Sequence, residues 1–271
     1  MKIYLSVDME GVNGVVLKEH VDPQAKEYSL AREWMLQEVH AAIAGAVAGG
    51  AEQVLVNDAH NTMTNLPLDR LPEKAHLCTG PMKPFSMMQD LDDSFQAVFL
   101  LGYHAMYGTA NAVHDHIFAY SMFEKVEING RRIGELGLNA GLAGHFQVPV
   151  VLVTGDLAVA AEAKALISDV ETVVVKEGRG RYAALCYPFQ ETLTAIQHGA
   201  QQAVQRAKSI NALRFSEPLQ LTVTYLKAES ADLGALLPEA KRLDGRTLQV
   251  EAANYPEMYR KFLALYRLAR G

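Results

Sequence analysis

The chain has 271 residues, 49% of them hydrophobic and 21% charged, with a formal net charge of −6. That length can bury a sizeable core in one large domain or two smaller ones, and an acidic balance with no dense Lys/Arg block argues against a nucleic-acid surface. Cys78 and Cys186 stand far apart in no CxxC pattern, and the apolar start is short, so neither a disulfide framework nor a signal-peptide core is expected, no run approaches the ~20 residues of a membrane span, and a cytoplasmic setting is.

From the N-terminus, residues 2–7 read as a buried strand that stops abruptly at Asp8, Met9, Glu10 and Gly11. Residues 26–48 have helical spacing, and Gly49-Gly50 supplies a stop. Residues 52–60 and 96–105 are two more apolar runs with polar ends. A hairpin is expected over 125–135 around Asn129-Gly130. Residues 148–156 read as a buried strand, 157–167 as the helix after it, and 171–178 as the next strand. Beyond that come a helix over 189–208, an alternating strand over 218–226, a short helix over 230–237, a hairpin-like pair over 240–252 around Asp244-Gly245, and a terminal helix over 255–269.

Strands alternating with helices imply a layered α/β/α domain with a mostly parallel sheet, and ligands of such sheets gather outside the carboxyl ends of the strands. Those ends carry Asp8 and Glu10, Asp58 and His60, His104, and Asp156. The C-terminal pattern is α+β. The expected division is a metal-binding catalytic domain over 1–188 and a smaller α+β domain over 189–271, with no linker to mark the boundary and nothing that requires it to be continuous.

Asp8 and Glu10 are i and i+2, so in extended backbone both carboxylates face one side. Two like charges that close are costly unless neutralised. A divalent cation does this; protonation of one carboxylate and a plain solvated loop are the competing solutions. His60 and His104 add imidazole nitrogen from two other strand ends, and a mixed N/O set suits Zn²⁺, Mn²⁺ or Co²⁺ better than Ca²⁺. Glu135, just after the hairpin, offers a fifth ligand; its plainer reading is a helix-start glutamate. In "VHDHIF", His114 and His116 flank Asp115, and either is a candidate general acid/base or oxyanion donor. "GRGR" at 178–181 reads as an anion-binding stretch or a solvated loop, and "GVNG" at 11–14 lacks dinucleotide-binding spacing. Neither a GxSxG elbow nor HExxH is present.

Taken together and in order, "SVDMEG", "VLVNDAH", "KPFSMM", "LGYHA" and "GELGLNAG" resemble the DppA-type D-aminopeptidase family, the binuclear zinc aminopeptidases of peptidase family M55. The resemblance runs from residue 1 to about 180 and thins beyond. It implies that Asp8 bridges two metals, that Glu10 and His104 complete one site, and that His60 and Glu135 complete the other. It implies a catalytic histidine shortly after the "GYHA" motif, for which His116 fits better than His114. It further implies two Zn²⁺ per subunit (Mn²⁺ or Co²⁺ being alternatives), a homodecamer enclosing its active sites, and hydrolysis of short peptides or amino-acid amides from a free N-terminus, with D-amino acids as the suggested substrates. Two other readings stay open on the residues alone: another binuclear hydrolase, such as an amidohydrolase or phosphoesterase, and a non-catalytic α/β module binding a cation or solute.

Overall fold

The structure is a computed structural model that describes residues 1–270; Gly271, the last residue of the expected smaller domain, lies outside the described residues. In chain order the elements are β1 (Lys2–Val7), α1 (Lys18–Val21), α2 (Tyr28–Ala48), β2 (Gln53–Asp58), β3 (Ala75–Cys78), β4 (Ala97–Tyr103), β5 (Phe123–Ile128), β6 (Arg131–Ile133), α3 (Glu135–His145), β7 (Val150–Asp156), α4 (Leu157–Leu166), β8 (Glu171–Gly180), β9 (Ala183–Cys186), α5 (Phe189–Arg206), β10 (Leu219–Tyr225), α6 (Ala228–Gly234), β11 (Lys241–Arg242), β12 (Thr247–Ala252) and α7 (Tyr255–Leu268). Among the described residues no helix is long and apolar enough to cross a membrane.

The larger sheet has the order β3-β2-β1-β4-β7-β8-β9. Every neighbouring pair is parallel except β8 and β9. β1, β4 and β7 are near-continuous apolar runs because helices cover both faces of such a sheet. Strand order reverses at β1, which lies between β2 and β4, so the crevice of a doubly wound sheet opens at the carboxyl ends of these strands. The mostly parallel layered architecture expected from the alternation is the one observed.

A second, antiparallel sheet has the order β11-β12-β10-β5-β6. The hairpin β5–β6 turns at Asn129 and Gly130, both with positive φ (51° and 75°), the geometry that favours Asn-Gly. This hairpin, drawn from the middle of the chain, pairs with β10. Conversely α5 packs on α2 and on β7 and β8 of the larger sheet. The two sheets therefore exchange segments across the expected boundary at 188/189.

Four elements escape a reading of the sequence, the first being the four-residue helix α1. β3 is short and half-buried. α3 is glycine-rich, which lowers helix propensity; Gly141 is required there, because a Cβ would run into the Tyr255 ring of α7. β9 is an edge strand that makes "GRGR" part of a hairpin rather than an anion loop. Its arginines are already paired, Arg179 with Glu177 at 2.9 Å and Arg181 with Asp115 at 3.2 Å.

α7 starts on Asn254, whose side chain accepts from Glu257 N at 3.0 Å. Its buried face, Met258, Tyr259, Phe262, Leu263 and Leu265, has helical spacing. Phe262 packs edge-on against Phe118 at 4.9 Å between ring centres. Below the crevice a buried polar chain ties four elements together. Ser6 Oγ and Tyr103 Oη are 2.7 Å apart, Asn139 Nδ2 donates to Tyr103 Oη at 2.8 Å, and Tyr259 Oη donates to Asn139 Oδ1 at 2.7 Å. Such a network, with each member partnered, fixes β1, β4, α3 and α7 in one arrangement.

Candidate metal centre and active-site cleft

Asp8 and Glu10 leave β1 where its hydrogen-bonded ladder ends. The turn that follows is tight. Gly11 N donates to Gly102 O at 2.7 Å, and Gly102 has φ +67°, with Asp8 O where a Cβ would stand. A glycine at that position lets β4 close over the Asp8 backbone and deliver His104 two residues later. Lys176, fully buried in the middle of β8, donates to the carbonyls of Glu10, Val12 and Val15 at 2.6, 2.8 and 2.5 Å. One ammonium thus gathers the loop that carries Glu10. Burial pushes this lysine down to about 8.

His60 follows β2. Asp58, expected at the same rim, is not in the site: its carboxylate accepts from Asn65 N, Asn65 Nδ2 and Leu66 N and shapes the turn beneath His60. Asp156 is likewise structural, capping α4 through Val159 N at 2.9 Å and accepting from Val113 N at 2.7 Å. Glu135 is the first residue of α3, so the helix-start reading holds, and its carboxylate also reaches the cluster.

Asp8, Glu10, His60, His104, Glu135 and His116 are brought together, each no more than 5% exposed. His60 Nδ1 lies 3.2 Å from Asp8 Oδ1 and 3.1 Å from Glu10 Oε2. His104 Nε2 lies 3.2 Å from Glu135 Oε1 and 3.6 Å from Asp8 Oδ2. Asp8, Glu10 and His104 offer ligand atoms within 4.8 Å of one another, as do His104, His116 and Glu135. His116 stacks flat between His104 and Tyr120, 4.0 Å from each ring centre, with Nε2 3.9 Å from Glu10 Oε1 and 3.7 Å from Glu135 Oε1.

Each of these three histidines is held by its other nitrogen. His60 Nε2 donates to Val21 O at 3.3 Å, His104 Nδ1 to Ala105 O at 3.1 Å and His116 Nδ1 to His114 O at 2.7 Å. A carbonyl can only accept, so each anchoring nitrogen carries a proton, and the opposite nitrogen is the one left to offer its lone pair to a bound metal. This is how ligating imidazoles are oriented. His104 Nε2 is buried without a well-directed hydrogen bond, which suits a nitrogen donating its lone pair to a divalent cation. The residues present fit a metal pair.

The electrostatics agree. Burial lifts the Asp8 carboxyl, and Glu10 beside it adds to the rise. Burial opposes ionisation of Glu10 as well, but His60 and the other imidazoles outweigh it and hold Glu10 well below the usual carboxylate range. His104 is disfavoured as a cation by burial, yet Glu135 and the other carboxylates push it up to about 10; His60 rises for the same reason, with Glu10 as the main partner. Three clustered carboxylates demand positive charge, and the two imidazoles take protons in its place. His116 goes the other way: burial and the neighbouring His104 push it down to about 4, so its ring is neutral.

His114 is buried with φ +56°. Its Nδ1 lies 3.0 Å from Tyr120 Oη, behind the cleft rather than on its lining. Tyr120, which the motif reading passed over, donates to Glu10 Oε1 at 2.9 Å. Its signal was the position four residues beyond His116. Lys176 was signalled by a charge closing the apolar run "VVV".

Asp8, Glu10, His60, His116 and Glu135 floor a cavity of about 510 Å³ whose lining also includes Met87, Phe118, Tyr120, Leu263, Tyr266 and Arg267 of α7, and Arg270 just past its end. The chain matches the family model described as D-aminopeptidase (peptidase M55) over residues 1–264. It is 36% identical over 271 residues to a D-aminopeptidase of Bacillus subtilis, covering 99% of this chain and 98% of that one. It superposes with a TM-score of 0.97, at 35% identity, on the solved structure of the Zn-dependent D-aminopeptidase DppA from Bacillus subtilis, described as a self-compartmentalizing protease, with 100% of this chain and 98% of that chain covered. A match of this length, on a chain whose buried acid–histidine cluster sits at the switch point of the sheet, shows that the protein belongs to the M55 D-aminopeptidase family.

Proposed function

We propose that the protein is a zinc-dependent aminopeptidase that removes the N-terminal residue from short peptides, with D-amino acids as its substrates. The observation that carries this reading is the convergence of three carboxylates and two anchored imidazoles on the floor of one cavity. Asp8, Glu10 and His104 would hold one zinc ion, and Asp8, His60 and Glu135 the other; Mn²⁺ and Co²⁺ would suit the same donors. When bound, the pair supplies Lewis acidity, activating water and polarising the scissile carbonyl.

The chain's own residues do the rest. Tyr120 holds one Glu10 oxygen and, with His104, clamps the His116 ring. With Nδ1 committed to His114 O, the neutral His116 ring takes a proton on Nε2 as the carbonyl is attacked. The charged ring so formed faces the developing oxyanion and hands the proton to the leaving amine.

The protein is further proposed to act in the cytoplasm as a homo-oligomer, with a decamer as the expected size. The self-compartmentalizing description of the solved relative and exposed apolar residues such as Met82 and Leu185 support an assembly. The smaller domain is proposed in discontinuous form, β5–β6 together with the chain from β10 to α7.

Elemental analysis coupled to hydrolysis tests the function. About two equivalents of transition metal per chain, with cleavage of D-Ala-D-Ala abolished by a chelator and restored by zinc, is the expected result. Equal or faster cleavage of L-Ala-L-Ala would reverse the stereochemical assignment, and turnover of phosphate esters alone would replace the peptidase reading.

A further inference from the structure

The wall that α7 turns toward the cavity carries its own chemistry. Arg267 in the last turn of α7 and Arg270 just past its end are the only arginine or lysine side chains among the described residues that line it. Arg270 Nη1 donates to Tyr266 Oη at 2.8 Å and its guanidinium lies 5.4 Å over the Tyr266 ring. Arg267 has no carboxylate partner among the described residues. Some exposed arginines elsewhere on this chain pair with a carboxylate, as Arg70 does with Glu33 and Arg246 with Glu124. A cation that lines a cavity floored by carboxylates, and pairs with none of them, is placed for a negative charge brought in from outside.

A short peptide is charged at both ends. On the aminopeptidase reading, on which this inference rests, its ammonium and scissile carbonyl lie at the floor. The remaining end is a carboxylate. About 510 Å³ lies within the roughly 300–1,000 Å³ of small-molecule sites, room for a substrate of two or three residues. A guanidinium matches a carboxylate through two parallel N–H donors.

We propose that Arg267, flanked by the Tyr266–Arg270 pair, binds a carboxylate of the substrate, so that α7 selects short peptides with a free C-terminus over amino-acid amides and C-terminally blocked peptides. An acidic side chain on the second residue presents the same group, and the substrates below separate the two sources.

Zinc-loaded wild type, Arg267→Met and Arg267→Lys are compared on D-Ala-D-Ala, D-Ala-D-Ala amide and D-Ala-D-Glu amide, or on the L series if that is the one turned over. The expected result is a KM for D-Ala-D-Ala raised about tenfold or more in Arg267→Met. Its kcat and zinc content should be little changed, KM for D-Ala-D-Ala amide unaffected, and Arg267→Lys should recover part of the loss. A penalty confined to D-Ala-D-Glu amide would uphold carboxylate recognition and assign it to the side chain. Equal KM values for wild type and Arg267→Met on all three substrates would overturn the inference while leaving the aminopeptidase reading intact. Failure of wild type to cleave any of them in either series would overturn both.

Discussion

At the carboxyl ends of β1, β2 and β4, ionisable side chains are buried almost completely and crowd one another: Asp8, Glu10, His60 and His104, joined by Glu135 from α3. The same cavity is lined by Leu263, Tyr266 and Arg267 of α7 and by Arg270 just beyond it, with both arginines exposed. The rim concentrates charge where water is excluded, so each carboxylate depends on its neighbours for neutralisation. The wall keeps its charge in solvent, where it costs little to hold and is free for a ligand. The rim rests on strand ends tied from below by Ser6, Tyr103, Asn139 and Tyr259. A centre that performs chemistry needs such rigid support, whereas a recognising wall tolerates a helix end.

Five substitutions would sharpen this contrast or break it. The largest effect belongs to Asp8→Ala. It removes the carboxylate that contacts both His60 and His104, and bound metal and D-Ala-D-Ala hydrolysis should both fall to background, read by elemental analysis and turnover. Retained metal with full activity would mean that the rim does not work as one unit.

Next comes His116→Ala. It should keep its metal and lose about 10²–10³-fold in kcat, while His114→Ala, whose side chain lies behind Tyr120, should lose far less. The opposite ranking would transfer the catalytic role to His114. Tyr120→Phe removes a hydrogen bond to Glu10 while the ring still stacks on His116. The expected loss is about tenfold in activity or metal affinity, read by competition with a chelator of known affinity.

The smallest effect on activity is expected at Glu38 of α2, a fully buried carboxylate with no imidazole cluster around it. Its Oε1 accepts from Asn13 N at 2.8 Å and its Oε2 has no partner. Burial lifts it from its ordinary 4.5 to about 7. Between those values the folded chain binds more protons than the unfolded one, so stability is intact below the window and declines as pH rises through it. Glu38→Gln keeps the acceptor and removes the titration. Its unfolding midpoint in urea should match wild type near pH 4 and exceed it near pH 8, with turnover close to wild type. An identical pH dependence in the two proteins would show that Glu38 is as well neutralised as the rim.

Much of this arrangement was legible in the chain. The apolar runs that became β1, β2, β4, β7 and β8 carry their own period, and the polar residues closing three of them named Asp8, Glu10, His60 and His104. The Asn129-Gly130 turn announced itself through the positive φ that few other residues adopt easily. α3 did not, because its glycines serve packing against α7 rather than helix propensity, and so Glu135 stood only as one candidate beside a plainer reading. Asp58 and Asp156 looked equivalent to Asp8 by position; only their hydrogen bonds to nearby backbone N–H groups separate a turn-former and a cap from a ligand.

What the amino-acid sequence determined by itself was local: which segments are strands or helices, where each apolar run ends, and which side chains of suitable chemistry stand at those ends. Such properties follow from hydrophobic period, turn chemistry and residue type within a few positions. Only the tertiary structure decided the rest. It stacked His116 between His104 and Tyr120, placed His114 behind the cleft, drew the Glu10 loop around Lys176, and set the C-terminal arginines opposite the acidic floor. Most of those relations join residues tens to hundreds of positions apart. Their energies come from burial and charge pairing that exist only once the sheet has brought the segments together.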